Sequence, residues 1–360
     1  MKNRFLSMAA AVVLAASMIT GCAGSASETT AAASESETEA AETEAASEES
    51  SEATDTDKTV VRIGAMSGPT AMGLVKLMDE AEAGETENEY EFADLATDAS
   101  AMVTPLAQGD LDIAAVPANL AAALYSKTNG GVEVLAVNAL GVLDLVERGE
   151  TLTGMQDLAG HKIYATGQSA VPEYVIRYIL TANGIDPDND VEIQWCADTA
   201  EALAHIKEEE GAIAVLPQPF ATAAMAQVDD LRIVEDLNDA WDALDTGSEI
   251  TTGVLAVRKE FAEEHPEAVE QFLLEYAESA AFAETEPAEC ASLIENYGIV
   301  ASAAIAEKAL PGCHIVCLTG AGMKDALSGF LQVLYDQNPE SVGGSMPGDD
   351  FYYGAENNLE

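Results

Sequence analysis

Positive charge is what this chain has least of. Lys and Arg number 15 against 64 Asp and Glu, for a formal net charge of −49. A field of that sign repels phosphate backbones and anionic lipid, which excludes nucleic acid as a partner. Histidine is scarce too: four residues (His161, His205, His265, His314), scattered along the chain. With no G-x-S-x-G, H-E-x-x-H or P-loop motif beside them, the chain offers no catalytic constellation, and it reads as a non-enzyme. Aromatics make up 6%. Of these, Tyr174 near a helix start and Trp195 at a strand end pack as core or rim more readily than as ligand platforms. Long apolar runs are absent after residue 18, so no later segment spans a bilayer. Cysteine is limited to Cys22, Cys196, Cys290, Cys313 and Cys317. The last four allow at most two disulfides in an exported chain. Cys313-x-x-x-Cys317 with His314 has the outline of a metal site. Two sulfurs and one His facing the other way are an incomplete ligand set, however, and Gly312–Leu318 reads as a buried β segment. Neither a metal nor a cofactor is expected.

What is present begins with an export signal. Lys2 and Arg4 precede an apolar run over residues 5–18, too short for a comfortable span of about 20 residues. The run ends in Ile19-Thr20-Gly21-Cys22, which resembles the bacterial lipobox: an aliphatic residue, two small ones, then the cysteine that is acylated and becomes the new N-terminus. Residues 1–21 are therefore expected to be a lipoprotein signal peptide. Residues 22–58 follow as an acylated Cys22 (diacyl, palmitate-type) and an acidic linker. Apart from Cys22 and Lys58, that linker holds only Ala, Ser, Thr, Gly, Glu and Asp, a composition that cannot bury a core. Its repeated Glu side chains repel one another and keep it extended.

From Thr59 onward, 53 acidic residues face 12 basic ones, a net of −41. Solubility of an exposed surface explains that balance more simply than a specific basic partner. The remaining length suits two lobes of ordinary size. Short apolar strands alternate with amphipathic helices: 60–64, 89–95, 112–117 and 132–140 as strands, with helices at 72–83, from Ser100 to Gly109, and from Asn119. The pattern then restarts with strands at 162–166, 191–195 and 211–216 and helices at 172–183 and 199–210. Two α/β units of matching layout result, each with a parallel sheet and each ending in a Pro-containing loop. A strand at 248–257 and a helical tail complete the chain.

Several motifs then carry a resemblance. Asp157-Leu-Ala-Gly-His-Lys-Ile163 resembles the segment that opens the second lobe in solute-binding proteins of ABC importers. Gly109-Asp-Leu-Asp-Ile-Ala114, Arg258 to Val269 (R-x-x-F-x-x-x-H-P-x-x-V) and Gly343 to Tyr353 (G-G-x-M-P, then F-Y) resemble other parts of the same group, in the same order. Ala212 to Pro219 resembles its D-A-x-x-x-x-E-P step, with Ala212 and Gln218 where acids are usual. The group is the one that carries nitrate, sulfonates, taurine and thiamine-pyrimidine precursors. The resemblance implies a type II periplasmic-binding-protein fold: two doubly wound α/β lobes joined by two crossing strands. Lobe 1 would be 59–140 with 251–360, and lobe 2 would be 141–250. It also implies a small-molecule ligand, permease and ATPase subunits as partners, and a monomer tethered outside the membrane, in a single-membrane bacterium.

In open α/β sheets, ligands bind beyond the carboxyl ends of the strands. That rule selects Ser67, Gly68, Pro69, Thr70, Thr97, Asp98, Ala118 and Asn119 from the first unit. From the second it selects Thr166, Gly167, Gln168, Ser169 and Gln218, with Tyr174 kept beside them. Helix N-termini there offer free N–H groups to polar or anionic oxygens. Asn119 and Ser67 rank highest, although Ser67, Thr97 and Ser100 also serve as plain helix caps. Arg148 and Arg177 fall outside these loops. An anion would also have to approach a strongly acidic domain, so the expected ligand is a small organic molecule before an inorganic anion. A sensor or surface module on the same fold is the alternative, and a pyrimidine-precursor synthase-like enzyme a weaker one.

Overall fold

The computed structural model describes residues 58–98 and 100–355. The signal segment, Cys22 and all of the acidic linker but Lys58 lie outside them.

The first unit runs β1 (Val60–Ala65), α1 (Pro69–Met72), α2 (Val75–Ala83), β2 (Glu89–Phe92), α3 (Ser100–Gln108), β3 (Ile113–Pro117), α4 (Ala118–Thr128) and β4 (Val132–Leu140). The second runs β5 (Leu143–Arg148), β6 (Lys162–Ala165), α5 (Val171–Ala182), β7 (Glu192–Trp195), α6 (Thr199–Glu208), β8 (Ile213–Pro217), α7 (Phe220–Met225), β9 (Leu231–Asp236) and α8 (Leu237–Asp242). After β10 (Thr251–Arg258) come α9 (Lys259–Glu264), α10 (Pro266–Thr285), α11 (Pro287–Asn296), α12 (Ala303–Ala309), β11 (Ile315–Leu318) and α13 (Gly320–Gln337).

These strands form two sheets. The first has the order β2-β1-β3-β10-β4-β11 and the second β7-β6-β8-β5-β9. In each, the first strand of a βαβ unit pairs in parallel on both sides, and one antiparallel strand is inserted next to the third: β10 beside β3, β5 beside β8. The layouts match, as the repeated β-α pattern predicts. Central strands such as Ile113–Pro117 and Ile213–Pro217 are buried along nearly their whole length, because helices cover both faces. Edge strand β2 alternates exposed and half-buried residues instead.

Two departures from the sequence expectation have clear causes. The helix expected over 72–83 is two helices, broken at Gly73 and Leu74. A Cβ at Gly73 would lie 2.7 Å from the Tyr276 hydroxyl, so this backbone is held close against α10. Strands β5 and β9 were not expected, because Leu143-Asp-Leu-Val-Glu-Arg148 and Leu231-Arg-Ile-Val-Glu-Asp236 carry several charges each. One pair of those charges cancels across the ladder. Glu147 and Arg232 are register partners, and the Arg232 Nη2 donates to Glu147 Oε2 at 2.6 Å while Glu147 is 1% exposed.

The sheets share one apolar cluster on one side. Phe330, Leu331 and Leu334 of α13 join Val137 and Val254 of the first sheet to Val175, Ile179 and Trp241 on helices α5 and α8 of the second unit. The chain passes between sheets through Gly141 and Val142, and that passage is pinned. The Gly141 N–H donates to Asn238 Oδ1 (3.0 Å), Asn238 Nδ2 donates to the Gly141 carbonyl (2.8 Å), and His314 Nδ1 lies 2.8 Å from the same carbonyl. A Cβ on Gly141 would sit 2.3 Å from Asn238 Oδ1. Replacing Gly141 by Ala must break this clamp, and the variant is expected to lose about 1–3 kcal/mol in thermal or urea unfolding. Unchanged stability in G141A would show that the crossing does not depend on it.

Candidate functional site

The carboxyl ends of the parallel strands carry the loops selected from sequence. After β1, Met66 bridges to Ala96 and the Ser67 N–H donates to the Ala96 carbonyl (2.8 Å), so the first two loops lie side by side. Ser67, Gly68 and Pro69 are half-buried, while Thr97 and Asp98 are exposed. Thr70 is buried, its hydroxyl donating to the Met66 carbonyl (2.8 Å). Ser100 is already helical, and it is Asp98 that caps α3: its Oδ1 accepts the Ser100 N–H (2.9 Å), which holds the Asp98 carboxyl below its usual range. Beneath Thr70, the Asn138 amide donates to the Thr70 carbonyl (2.9 Å). Asn138 Oδ1 and Thr251 Oγ1, both fully buried, have no hydrogen-bond partner among the described residues. Sequence reasoning missed this pair because each lies inside a strand that reads as pure core.

Two candidates are committed elsewhere. Asn119 donates through Nδ2 to the Ser341 carbonyl (3.3 Å), tying the start of α4 to the segment after α13. Tyr174 is 7% exposed; its hydroxyl accepts from Asn338 Nδ2 (3.0 Å) and its carbonyl from Gln337 Nε2 (3.1 Å). Tyr174 is held by the end of α13 and the residue after it, and Asn119 by the turn that follows, neighbours that sequence spacing does not reveal. Ala118 is buried at the head of α4.

In the second unit, Thr166 and Gly167 are half-buried and Gln168 and Ser169 exposed. Gly167 has φ of 82°, and a Cβ there would meet the Pro172 ring at 2.7 Å, so glycine is required. The N-terminus of α5 is already served by a carboxylate of the chain: the Ser169 N–H donates to Glu173 Oε2 (2.6 Å), and Glu173 is paired with Arg177 (2.8 Å). The next helix is similar. Asp198 Oδ1 accepts the Glu201 N–H (2.8 Å), and Glu201 Oε2 accepts the Ala197 N–H (2.6 Å), a reciprocal capping box. Carboxylates thus fill the positions at which a bound anion would be received.

Gln218 leads to the residues that sequence reasoning missed. It is 4% exposed, donates through Nε2 to Asp144 Oδ2 (2.7 Å), and accepts the Thr222 hydroxyl at Oε1 (2.9 Å). Asp144 sits on β5 directly opposite Asp236 on β9. The two line a cavity of about 690 Å³ with Gln218, Thr222, Ile233 and Lys308. His314 Nε2 lies 3.5 Å from Asp236 Oδ2. Burial first, and then the Asp236 charge, push the Asp144 carboxyl up to about 7, against the opposing Gln218 hydrogen bond. The one signal in sequence was an acid inside an apolar strand, Leu143-Asp-Leu-Val146.

The thiols take no part. Cys196, Cys290, Cys313 and Cys317 are unpaired, and burial pushes Cys313 up to about 12, with smaller effects from Asp144 and Cys290. Among the described residues no group of three or more His, Cys, Asp and Glu is placed to hold a metal ion.

The Asp144 shift has a sign in stability. Its folded pKa lies above the unfolded value of about 3.9, so the stability it contributes is present below that pH and lost as pH rises through about 7. The variant Asp144→Asn is expected to lose less stability than the parent between pH 5 and pH 8, by on the order of 2 kcal/mol. Parallel unfolding curves for the two proteins across that range would remove Asp144 as the cause.

Comparison with known proteins places this geometry. Residues 85–306 match a family model described as "ABC transporter, phosphonate, periplasmic substrate-binding protein". No curated protein matches the chain. Among solved structures, an ABC transporter protein from Parabacteroides distasonis is 25% identical with a TM-score of 0.66, covering 82% of this chain and 99% of that one. The periplasmic aliphatic sulphonate binding protein SsuA from Escherichia coli is 16% identical with a TM-score of 0.63, covering 79% and 90%. A sulfonate ABC transporter protein from Methylobacillus flagellatus is 15% identical with a TM-score of 0.59, covering 82% and 90%. The last two show the shared fold, the two-sheet α/β architecture of periplasmic binding proteins. No described helix is long and apolar enough to cross a membrane. The chain belongs to the family of periplasmic substrate-binding proteins of ABC transporters, and is the extracytoplasmic component that binds a small solute for an importer.

Proposed function

We propose that the chain captures a small organic solute, neutral or basic rather than an inorganic anion, between two lobes, and hands it to an ABC permease. The lobes would be 59–140 with 251–360 and 141–250, hinged at the Gly141 crossing and near Ile250. The ligand would lie among Ser67, Gly68, Pro69, Thr70, Thr97 and Asp98 on one side and Thr166, Gly167, Gln168, Ser169 and Gln218 on the other. Asn119 and Tyr174 would act as supports rather than contacts.

The observation that carries the ligand class is where the arginines are. Arg62, Arg148, Arg177, Arg232 and Arg258 are each ion-paired with a carboxylate of the chain. Among the described residues no arginine is left to clamp a sulfonate or phosphonate, and the helix N-termini of α5 and α6 hold Glu173 and Asp198. Buried acceptors at Asn138 and Thr251 favour a ligand, or a bridging water, that brings hydrogen-bond donors. The full chain, screened with vitamins, pyrimidines, amines, sulfonates, phosphonates and nitrate, is expected to gain thermal stability with a neutral or basic solute by mass action. A shift with nitrate or a sulfonate alone would overturn the ligand class. No shift with any compound would remove the capture role.

Cys22 lies outside the described residues, and its acylation belongs to the same proposal. A lipid anchor with a charged, extended leash keeps the binding protein near its permease at high effective concentration. Labelled palmitate is expected to enter the parent chain and not C22S, and C22S is expected to leave the membrane fraction. Membrane retention of C22S would refute the anchor.

A further inference from the structure

The cavity beside Gln218 points further than the fold does. Its wall is part apolar, with Met225, Ile233, Ile305 and Pro311, and its polar end is Asp144 and Asp236. At about 690 Å³ it lies within the size range of small-molecule sites. Buried acids elsewhere in this protein have cationic partners. Asp112, fully buried, is held by both Arg62 (2.8 Å) and Arg258 (3.1 Å), and Glu147 by Arg232 (2.6 Å). Asp144 is the exception. It is 3% exposed, and the hydrogen bond that the described residues give its side chain comes from the neutral Gln218 amide (2.7 Å). A buried carboxylate without a counter-ion costs several kcal/mol, a cost that a fold retains when something else compensates it.

We propose that this cavity takes the protonated amine of a small organic cation, held between Asp144 and Asp236 with its carbon chain along the Met225–Ile305 wall. Lys308 lines the same cavity, but no ion pair joins it to either carboxylate among the described residues. In the cavity lining two carboxylates face one lysine, and one ammonium closes the balance. Gln218 donates to Asp144 Oδ2 and so orients that carboxylate toward the cavity's occupant, while its own amide oxygen is taken by the Thr222 hydroxyl. The acidic surface concentrates cations at the mouth. The inference rests on the transport reading, since Gln218 belongs both to the cleft loops and to the cavity.

The test uses the full chain in low-salt buffer near pH 7.5, titrated with n-butylammonium chloride, choline chloride, sodium butanesulfonate and sodium chloride. Butylammonium is expected to raise Tm with concentration, and Asp144→Asn and Asp236→Asn each to weaken it by tenfold or more. Glu267→Gln, at an exposed acid outside the cavity lining, is expected to leave binding unchanged. Calorimetry in buffers of different ionisation enthalpy adds a second readout. The groups facing Asp144 are Asp236, Cys313, Lys308 and, through Asp236, His314. A cation arriving there is expected to release a proton from Asp144, and D144N to abolish that release. Equal binding of butylammonium by parent and D144N, with circular dichroism unchanged, would overturn the proposal. So would stabilisation by butanesulfonate alone, which would leave the transport reading standing. Silence toward these probes, with a shift from an uncharged compound of the wider panel, would overturn the amine site only. Silence toward every compound would take down both.

Discussion

The scarcity of cationic side chains governs this structure. With 15 Lys and Arg against 64 acids, positive charge has to be spent where burial demands it. Arg62 and Arg258 converge on Asp112, which is fully buried between β1, β3 and β10, and Arg232 reaches Glu147 between β5 and β9. These pairs let charged strands enter the sheets. Removing one partner would leave a buried charge uncompensated, which costs far more than a surface pair is worth. The same allocation leaves the cleft loops without arginine and leaves Asp144 with a neutral partner.

The two sheets match in layout over five strands, the first having a sixth, β11, but they are not held in the same way throughout. On one side α13 fills the space between them, and Tyr174, Trp241, Phe330 and Leu334 make a continuous apolar contact. On the other side, α7 and α12 border the cavity that carries Asp144 and Asp236. Between the two runs the crossing at Gly141, clamped by Asn238 and His314.

Much of the architecture was legible. Continuous apolar runs such as Ile213-Ala-Val-Leu216 and the helix stops at Gly84, Gly109 and Gly184 mark β and α elements in alternation, and alternation at that spacing gives parallel sheets. Strands β5 and β9 were hidden because their charges read as surface. The loops at the strand ends followed from the switch-point rule. Asn119 and Tyr174 have neighbours that this rule does not reveal, because Ser341 and Asn338, just beyond α13 and far away in sequence, hydrogen-bond to their side chains.

Sequence by itself determined the acidic bias, the repeated α/β layout and the family motifs, because each is written in composition or in local spacing. Tertiary structure alone decided how the charges are paired. Which arginine meets which carboxylate depends on strand register and on contacts across 50 to 146 residues, such as Arg62 and Arg258 with Asp112. Pairwise cancellation of buried charge is a property of three-dimensional neighbours, so the exception at Asp144 becomes visible only once every other buried acid has found its partner.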